Sequence, residues 1–533
     1  MINIPNYKFE QELTLLAELP QNPFLDTDHY KFIHHTMFPK GTTWMSYTWT
    51  PRMSRLTKAN GFVEDNFHAV FFGLQGVLAK LTHDFRHGFF ERPEEEVISE
   101  IREQVEHTYA KTSPAMAVDF DYEPFRRLHR LGYLPILVKA LPEGTFVPMR
   151  VPMFTVENTL PEFYWLPGYL EVILSTSLWQ SMTDATIANV YKRIFDKFAA
   201  KTSDTPEVTF TQGGDFSMRG LASPEAAQRV GAAHLTSFGV TSTVSARPYA
   251  KQYYFAGDDV NAYGPSTEHS VMCSYGTDEV KAYLALIHPD TGVFPSGNIT
   301  IVSDTYDFWG VVDNILPKIK GVVMRRQGKV SLRPDSGDPV KIICGDPDSD
   351  DPTIRKGLIE RLYEIIGGTV NSKGYKVLDP HIGAVYGDSI TPQRALDICQ
   401  RLMDKGFAST NVVFGIGSYT YQYNTRDTQG YGYKATAAII NGEFVKIFKD
   451  PKTDRDKENN FKKSQKGLVA VVRDEKGELQ LVDDLDFDGL RQYDAVNMLR
   501  PVYFNGDFVK DALCTFDEIR QRVRDESIRV YGI

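Results

Sequence analysis

The chain has 533 residues, 42% hydrophobic and 24% charged, with a formal net charge of -10. That length and balance predict a large globular core in two domains. They exclude a small disulfide-stapled scaffold and disfavour a nucleic-acid partner, since such binders carry a basic face. Cys273, Cys344, Cys399 and Cys514 are far apart and form no CxxC pair, so free thiols in a reducing compartment are expected, and metal binding through sulfur is not. The amino-terminal MINIPNYKFEQELTLLAELP has no basic segment followed by an apolar one. No later stretch approaches the roughly 20 apolar residues that span a bilayer, and the expectation is a cytoplasmic protein without a membrane partner.

In chain order, FLDTDHYKF (24–32) reads as a helix start capped by Asp26, Thr27 or Asp28. TWMSYTWTPR (43–52) alternates like a strand, and apolar spacing turns helical from Val63 to about Ala110. Residues 136–159 read as successive strands punctuated by Pro and Gly, and Leu166 to Thr202 as a long helical region. Strand–loop–helix units follow. EVTFT leads into QGGDFSMRG, GNITIVSD precedes TYDFWGVVDNIL, and KVSLRPDSGDP precedes IRKGLIERLYEIIGG. IGAVYGDS precedes PQRALDICQRLMDKG, and NVVFGIGSY closes the series. This alternation predicts a parallel sheet, closed as an irregular α/β barrel over 181–429. After Lys434 come two hairpins, one with an Asn441-Gly442 turn, and a terminal helix, TFDEIRQRVRDES. Residues 1–180 and 430–533 would therefore form one mixed α+β domain with the barrel inserted. The acidic stretch CGDPDSDDPT (344–353) is the nearest thing to a linker and receives no role.

Ligands of such sheets sit at the carboxyl ends of the strands, where Asp215, Asp304, Asp335, Asp388 and Gly417 would gather on one rim. The turns Gly387-Asp388-Ser389 and Gly415-Ile416-Gly417-Ser418 suit a phosphate bound by backbone N–H groups, although a lone GxG often only turns the chain. Asp304 and Asp335 could take ribose hydroxyls or Mg²⁺; each could equally cap a helix. The cations to place are Arg219, Arg333, Arg426, Lys434 and Lys449. Arg426 lies in an aromatic-rich stretch where it could stack a planar ring or make one salt bridge. Glu268 beside His269 in GPSTEHS could make that histidine a proton carrier or a nucleophile towards phosphorus, or the histidine could be structural. There is no Gly-x-Ser-x-Gly elbow and no Walker A sequence.

Together, LDTDHYK, SYTWTPR, GGDFSMRG, STEHS, IVSDTYD, LRPDSGDP, NSKGYK, VYGDS, NVVFGIGS, IFKDP and the FDEIR helix resemble the pyridine phosphoribosyltransferases, and the nicotinamide-using branch in particular, in order and over nearly the whole chain. The resemblance implies the type II phosphoribosyltransferase architecture. It implies transfer of phosphoribose from phosphoribosyl pyrophosphate to nicotinamide with Mg²⁺, in a homodimer whose active sites lie at the subunit interface. By matching position, Phe216 would stack on the pyridine ring opposite Tyr30 of the other subunit, with Asp28 nearby. Arg219 would hold the carboxamide. Arg333 and Asp335 would hold the ribose, and Asp304 the hydroxyls and metal. Gly387, Asp388, Gly417 and Ser418 would cradle the 5′-phosphate, while Arg52, Arg426, Lys434 and Lys449 would bind pyrophosphate. His269, aided by Glu268, resembles the histidine that ATP phosphorylates to drive synthesis.

Three positions depart from the family pattern. Ser242 stands where nicotinamide-using members carry Asp, and its hydroxyl can donate to a carboxylate or accept from an amide, so the base stays open between nicotinamide and nicotinate. Ser418 replaces a Gly, and the stretch around Asp348 to Asp351 is an insertion. Rival readings are a barrel glycosidase using Asp304 and Asp335 as acid and base, and a non-catalytic scaffold that retains the fold.

Overall fold

Two sheets organise the chain in this computed structural model, which describes residues 21–54, 67–450 and 463–533. The first is seven-stranded and antiparallel, in the order Glu443–Lys446, Gly432–Ile440, Thr42–Thr50, Phe154–Asn158, Ile136–Ala140, Arg500–Phe504, Asp507–Phe508. Early and late segments interleave in it: Thr42–Thr50 pairs with Gly432–Ile440 on one side and with Phe154–Asn158 on the other. The Asn441-Gly442 hairpin turn forms as expected. Both residues have positive φ (53° and 82°), the backbone a two-residue turn between right-twisted strands requires.

The second sheet is parallel, in the order Gly213–Asp215, Val412–Ile416, Ile382–Tyr386, Val330–Arg333, Ile299–Val302. Two extended segments complete the ring. Asp215 N–H donates to Val240 O and Ala262 N–H to Gly239 O, while Thr267 N–H donates to Thr300 O. Neighbours around the ring are thus neighbours in sequence, and the sheet closes as an irregular barrel. The 32-residue helix Glu171–Thr202 joins the two bodies. Its Leu174, Leu178 and Met182 pack into the core of the antiparallel sheet, and its Ile187, Tyr191, Ile194 and Phe195 into the barrel core. A helix shared by two cores is apolar on more than one face, so its sequence shows little amphipathic contrast. The terminal helix Phe516–Tyr531 opens with a capping box between Thr515 and Glu518.

Some expected elements differ. Residues 63–66 of the expected helix lie outside the described residues, as does the amino-terminal stretch 1–20, and His68–Val70 is a strand paired with Phe146–Pro148. EVTFT is not a strand: Pro206–Thr211 forms a 3-10 turn, with Thr209 Oγ1 accepting from Lys192 Nζ and donating to Pro206 O. The helix Tyr30–Met37 starts at His29 without a side-chain cap, and Asp28 instead accepts from a tyrosine hydroxyl. The acidic stretch is a capped connection: Asp351 Oδ1 accepts from Thr353 N–H at the start of Pro352–Lys356, and Asp346 pairs with Lys341 at 3.0 Å. All four cysteines are free. No helix among the described residues is long and apolar enough to cross a membrane.

Candidate active site

Because the barrel strands are parallel, the turns after Asp215, Val302, Arg333, Tyr386 and Ile416 open on one rim. A chain of close contacts ties these turns together. A Cβ on Gly415 would sit 2.7 Å from Gly387 Cα and 2.9 Å from the Phe216 ring, so two strands and an aromatic face meet where only hydrogen fits. Phe216, half-buried, lies against Gly214 and Gly415, and Tyr263 meets it edge-on with ring centroids 6.1 Å apart. Arg219, in the turn Met218–Gly220, is exposed and has no hydrogen-bond or ion-pair partner among the described residues. Ser418 abuts Gly220 of the same turn. The Ser242 hydroxyl likewise lacks a protein partner among the described residues, while its N–H donates to Asp215 O at 2.8 Å.

Asp304 links two functional turns. Its Oδ2 accepts from Asp335 N–H at 3.0 Å and Ser336 Oγ–H at 2.7 Å, and its Oδ1 lies 3.2 Å from His269 Nε2. The carboxylate that His269 faces is therefore Asp304; its chain neighbour Glu268 accepts from Ser270. The His269 ring is about half exposed, with 47% side-chain accessibility. Gly337 (φ 90°) makes the RPDSG turn possible, and Tyr386 Oη–H donates to Ser336 O and Gly337 O, pinning that turn to the next strand. Arg333 reaches back to Ser266 Oγ at 3.0 Å and Thr267 O at 3.1 Å. The Asp335 carboxylate has no protein donor among the described residues and sits beside Gly387, where an added Cβ would lie 3.2 Å from its Oδ1. Asp388 is exposed. Ser389 holds a left-handed backbone (φ 49°), the kind of local strain that clusters at ligand sites. Gly417 has open space around the missing side chain.

A second group lies on the antiparallel sheet. Tyr30, 52% exposed, donates to Asp28 Oδ2 at 2.7 Å, which pushes the phenol up to about 12. Glu171 pairs with Lys31 at 2.7 Å and Lys434 at 3.5 Å. Burial, and then Arg426, lower the Arg52 pKa; burial likewise lowers that of Lys434, with Arg52 and Arg426 adding to the effect. Glu171 opposes the effect on Lys434, and three cations gathered this closely form a ready anion site. Arg52 Nε also donates to Gly430 O at 2.6 Å. Lys449 is exposed, its N–H donating to Ser464 Oγ, and its ammonium touches neither group among the described residues.

The structure corrects one rim residue. Asp215 ends its strand as expected, but its carboxylate turns inward and is fully buried. Tyr263, Ser266 and Glu171 belong to the two groups without having been singled out beforehand. GPSTEHS marked the neighbourhood of the first two, and nothing local marked Glu171.

A barrel with a polar, glycine-rich rim, set among the strands of an antiparallel sheet that both halves of the chain build, is the architecture of the type II phosphoribosyltransferases. The chain belongs to the nicotinate phosphoribosyltransferase (NAPRTase) family, whose model matches residues 211–506. It is 44% identical over 514 residues, 95% of this chain and 97% of the relative, to the nicotinamide phosphoribosyltransferase of Acinetobacter baylyi. It is 31% identical over 510 residues, 94% of this chain and 97% of the relative, to that of Xanthomonas campestris pv. campestris. The fold is similar to human nicotinic acid phosphoribosyltransferase, with a TM-score of 0.53 and 16% identity over 94% of each chain.

Proposed function

We propose that this chain is a nicotinamide phosphoribosyltransferase. It would join the pyridine nitrogen of nicotinamide to ribose C1 of phosphoribosyl pyrophosphate, breaking the C1–oxygen bond and releasing pyrophosphate. The observation that carries this is the packing of Phe216 against Gly214 and Gly415, one turn from the unpartnered Arg219, with Gly387 beside Gly415 on one side and beside Asp335 on the other. That arrangement offers an aromatic face for a flat base beside a polar turn for a sugar. The likeness to full-length relatives supports it.

In this account Phe216 holds one face of the base and Arg219 its carboxamide oxygen, fixing the ring nitrogen for attack. Arg333 and Asp335 hold the ribose, and Gly387, Asp388, Gly417 and Ser418 surround the 5′-phosphate. Positive charge develops on the sugar and negative charge on the departing pyrophosphate, so converging cations lower the barrier. The exposed Asp28–Tyr30 pair and the Arg52, Arg426 and Lys434 cluster would complete the mouth of a second subunit in a homodimer, Tyr30 covering the free face of the base. Lys449 would join the pyrophosphate contacts. No group of three or more His, Cys, Asp or Glu among the described residues is spaced to hold a metal ion by itself. A Mg²⁺ sharing substrate phosphate oxygens fits one free carboxylate, and Asp335 is such a group, with Asp304 within reach through water. When bound, that ion would neutralise charge on the pyrophosphate. His269, assisted by Asp304 with Glu268 nearby, would take the γ-phosphoryl group of ATP, releasing ADP, and later pass it to water. A cytoplasmic location fits the free thiols.

Ser242 favours examining a second reading with nicotinate as base, because its free hydroxyl can donate to a carboxylate. Steady-state rates with both bases decide between them. The proposal expects nicotinamide to be preferred, and a preference for nicotinate of about tenfold, or about 1.4 kcal/mol, reverses it. Absence of mononucleotide from either base overturns the whole proposal.

A further inference from the structure

We infer that Asp215 is the positioning residue for base recognition, one buried carboxylate that clamps together the two loops carrying Phe216–Arg219 and Ser242. The inference rests on the proposed function and names how its base subsite is set.

Asp215 is fully buried and accepts four hydrogen bonds. Oδ1 takes Ser217 N–H at 2.9 Å and Ser217 Oγ–H at 2.6 Å. Oδ2 takes Thr241 Oγ1–H at 2.5 Å and Thr243 Oγ1–H at 2.8 Å. One oxygen therefore holds the turn after its own strand, and the other holds the neighbouring segment of the ring. The backbone repeats the link, since Asp215 N–H donates to Val240 O and Ser242 N–H to Asp215 O. Thr241 Oγ1 also accepts from Thr243 N–H at 3.0 Å, so its proton is committed to the carboxylate.

Ser242 stands between two threonines whose hydroxyls both point inward to Asp215. Ser242 lies in the bend between them, its N–H tied to Asp215 O, so its position is set by the same residue. Phe216, next to Asp215 on the other side, is fixed by the same residue and by its own N–H donating to Ile416 O at 2.9 Å. Among the described residues no cation pairs with Asp215. Burial lowers the pKa of the nearby His234, whose Nε2–H donates to Gly213 O at 3.2 Å and whose Nδ1 lies 2.7 Å from Tyr421 Oη. A carboxylate buried without a counter-ion is costly unless donors surround it, and an apolar residue would fill the same space more cheaply. What the carboxylate alone supplies is a fixed distance between the two base-contacting loops.

The test uses the full-length protein and two shape-conserving changes. Thr243→Val removes one of the four bonds, and Thr243→Ser keeps the hydroxyl. Thr243→Val should raise the KM and calorimetric Kd for the base about 3- to 10-fold, part of the roughly 10- to 150-fold scale of a lost hydrogen bond to a charged group because the loop and not the base loses the bond, with KM for phosphoribosyl pyrophosphate unchanged. Thr243→Ser should restore base binding to within about twofold of the wild type, and Asp215→Asn should raise the base KM about tenfold or more. The inference is overturned if Thr243→Val binds the base as the wild type does, if both substrates weaken equally, or if Thr243→Ser fails to rescue. Wild-type protein that binds neither nicotinamide nor nicotinate sinks the proposed function and this inference together; wild-type binding with indifferent variants sinks this inference alone.

Discussion

Replacing Asp304 by Asn separates two tasks that one carboxylate performs. Oδ2 accepts from Asp335 N–H and Ser336 Oγ–H, and Oδ1 faces His269 Nε2. An amide oxygen can keep the first two bonds, and its NH₂ must then point at the histidine, because the opposite rotamer sets donors against donors. With Asp, the imidazole donates from Nε2 and leaves Nδ1 with a free lone pair. With Asn, Nε2 has to accept, the proton moves to Nδ1, and that nitrogen is no longer a nucleophile. The lost charge-assisted bond amounts to about 1.5 to 3 kcal/mol, so ATP stimulation should fall about 10- to 150-fold while KM for phosphoribosyl pyrophosphate stays within about twofold. Asp304→Ala, which removes all three acceptor contacts, should lose both. The assay is initial mononucleotide formation with and without ATP, with ADP counted per product. Wild-type ATP coupling in Asp304→Asn, or a loss of phosphoribosyl pyrophosphate binding as deep as in Asp304→Ala, refutes this reasoning.

Two further outcomes follow from packing and burial. Gly415→Ala places a methyl 2.7 Å from Gly387 Cα and should push two rim strands apart, reducing kcat/KM by about 100-fold or more with a modest fall in Tm; wild-type kinetics would contradict the contact. Burial pushes the Glu143 carboxyl up to about 7, against the hydrogen bonds that the N–H groups of Gly73 and Gln75 donate to it. A raised folded-state value makes its contribution full below about pH 4.5 and lost as the pH climbs through about 7, up to about 3 kcal/mol. The Tm of the wild type should therefore fall relative to Glu143→Gln as the pH rises from about 5 to about 8, and parallel curves would dismiss the linkage.

The barrel was legible because each of its units repeats an apolar strand, a polar turn and an amphipathic helix. The strands Ile299–Val302, Val330–Arg333, Ile382–Tyr386 and Val412–Ile416 are short runs of apolar residues ending in Asp or Gly turns. His68–Val70 was not legible, because a three-residue strand is fixed by its partner Phe146–Pro148 rather than by its own propensity. Pro206–Thr211 looked like a strand from its β-branched residues, but Thr209 turns back onto Lys192 and Asp196 of the long helix. At the site, residue types and turns were readable and pairings were not. The Asp304–His269 contact spans 35 residues, and adjacency in sequence pointed to Glu268 instead. Asp215 looked like a rim acid, since nothing local announces that Thr241 and Thr243 will draw its carboxylate inward.

In the proposed homodimer, one chain's barrel mouth and a second chain's Tyr30, Arg52, Arg426 and Lys434 make one active site. Subunit complementation tests it: Arg426→Ala and Asp335→Ala chains carrying different tags are coexpressed and the hybrid dimer is isolated. Each parent should be nearly inactive, and the hybrid, with one intact composite site of two, should recover about half the wild-type rate. A hybrid as inactive as its parents would contradict the claim.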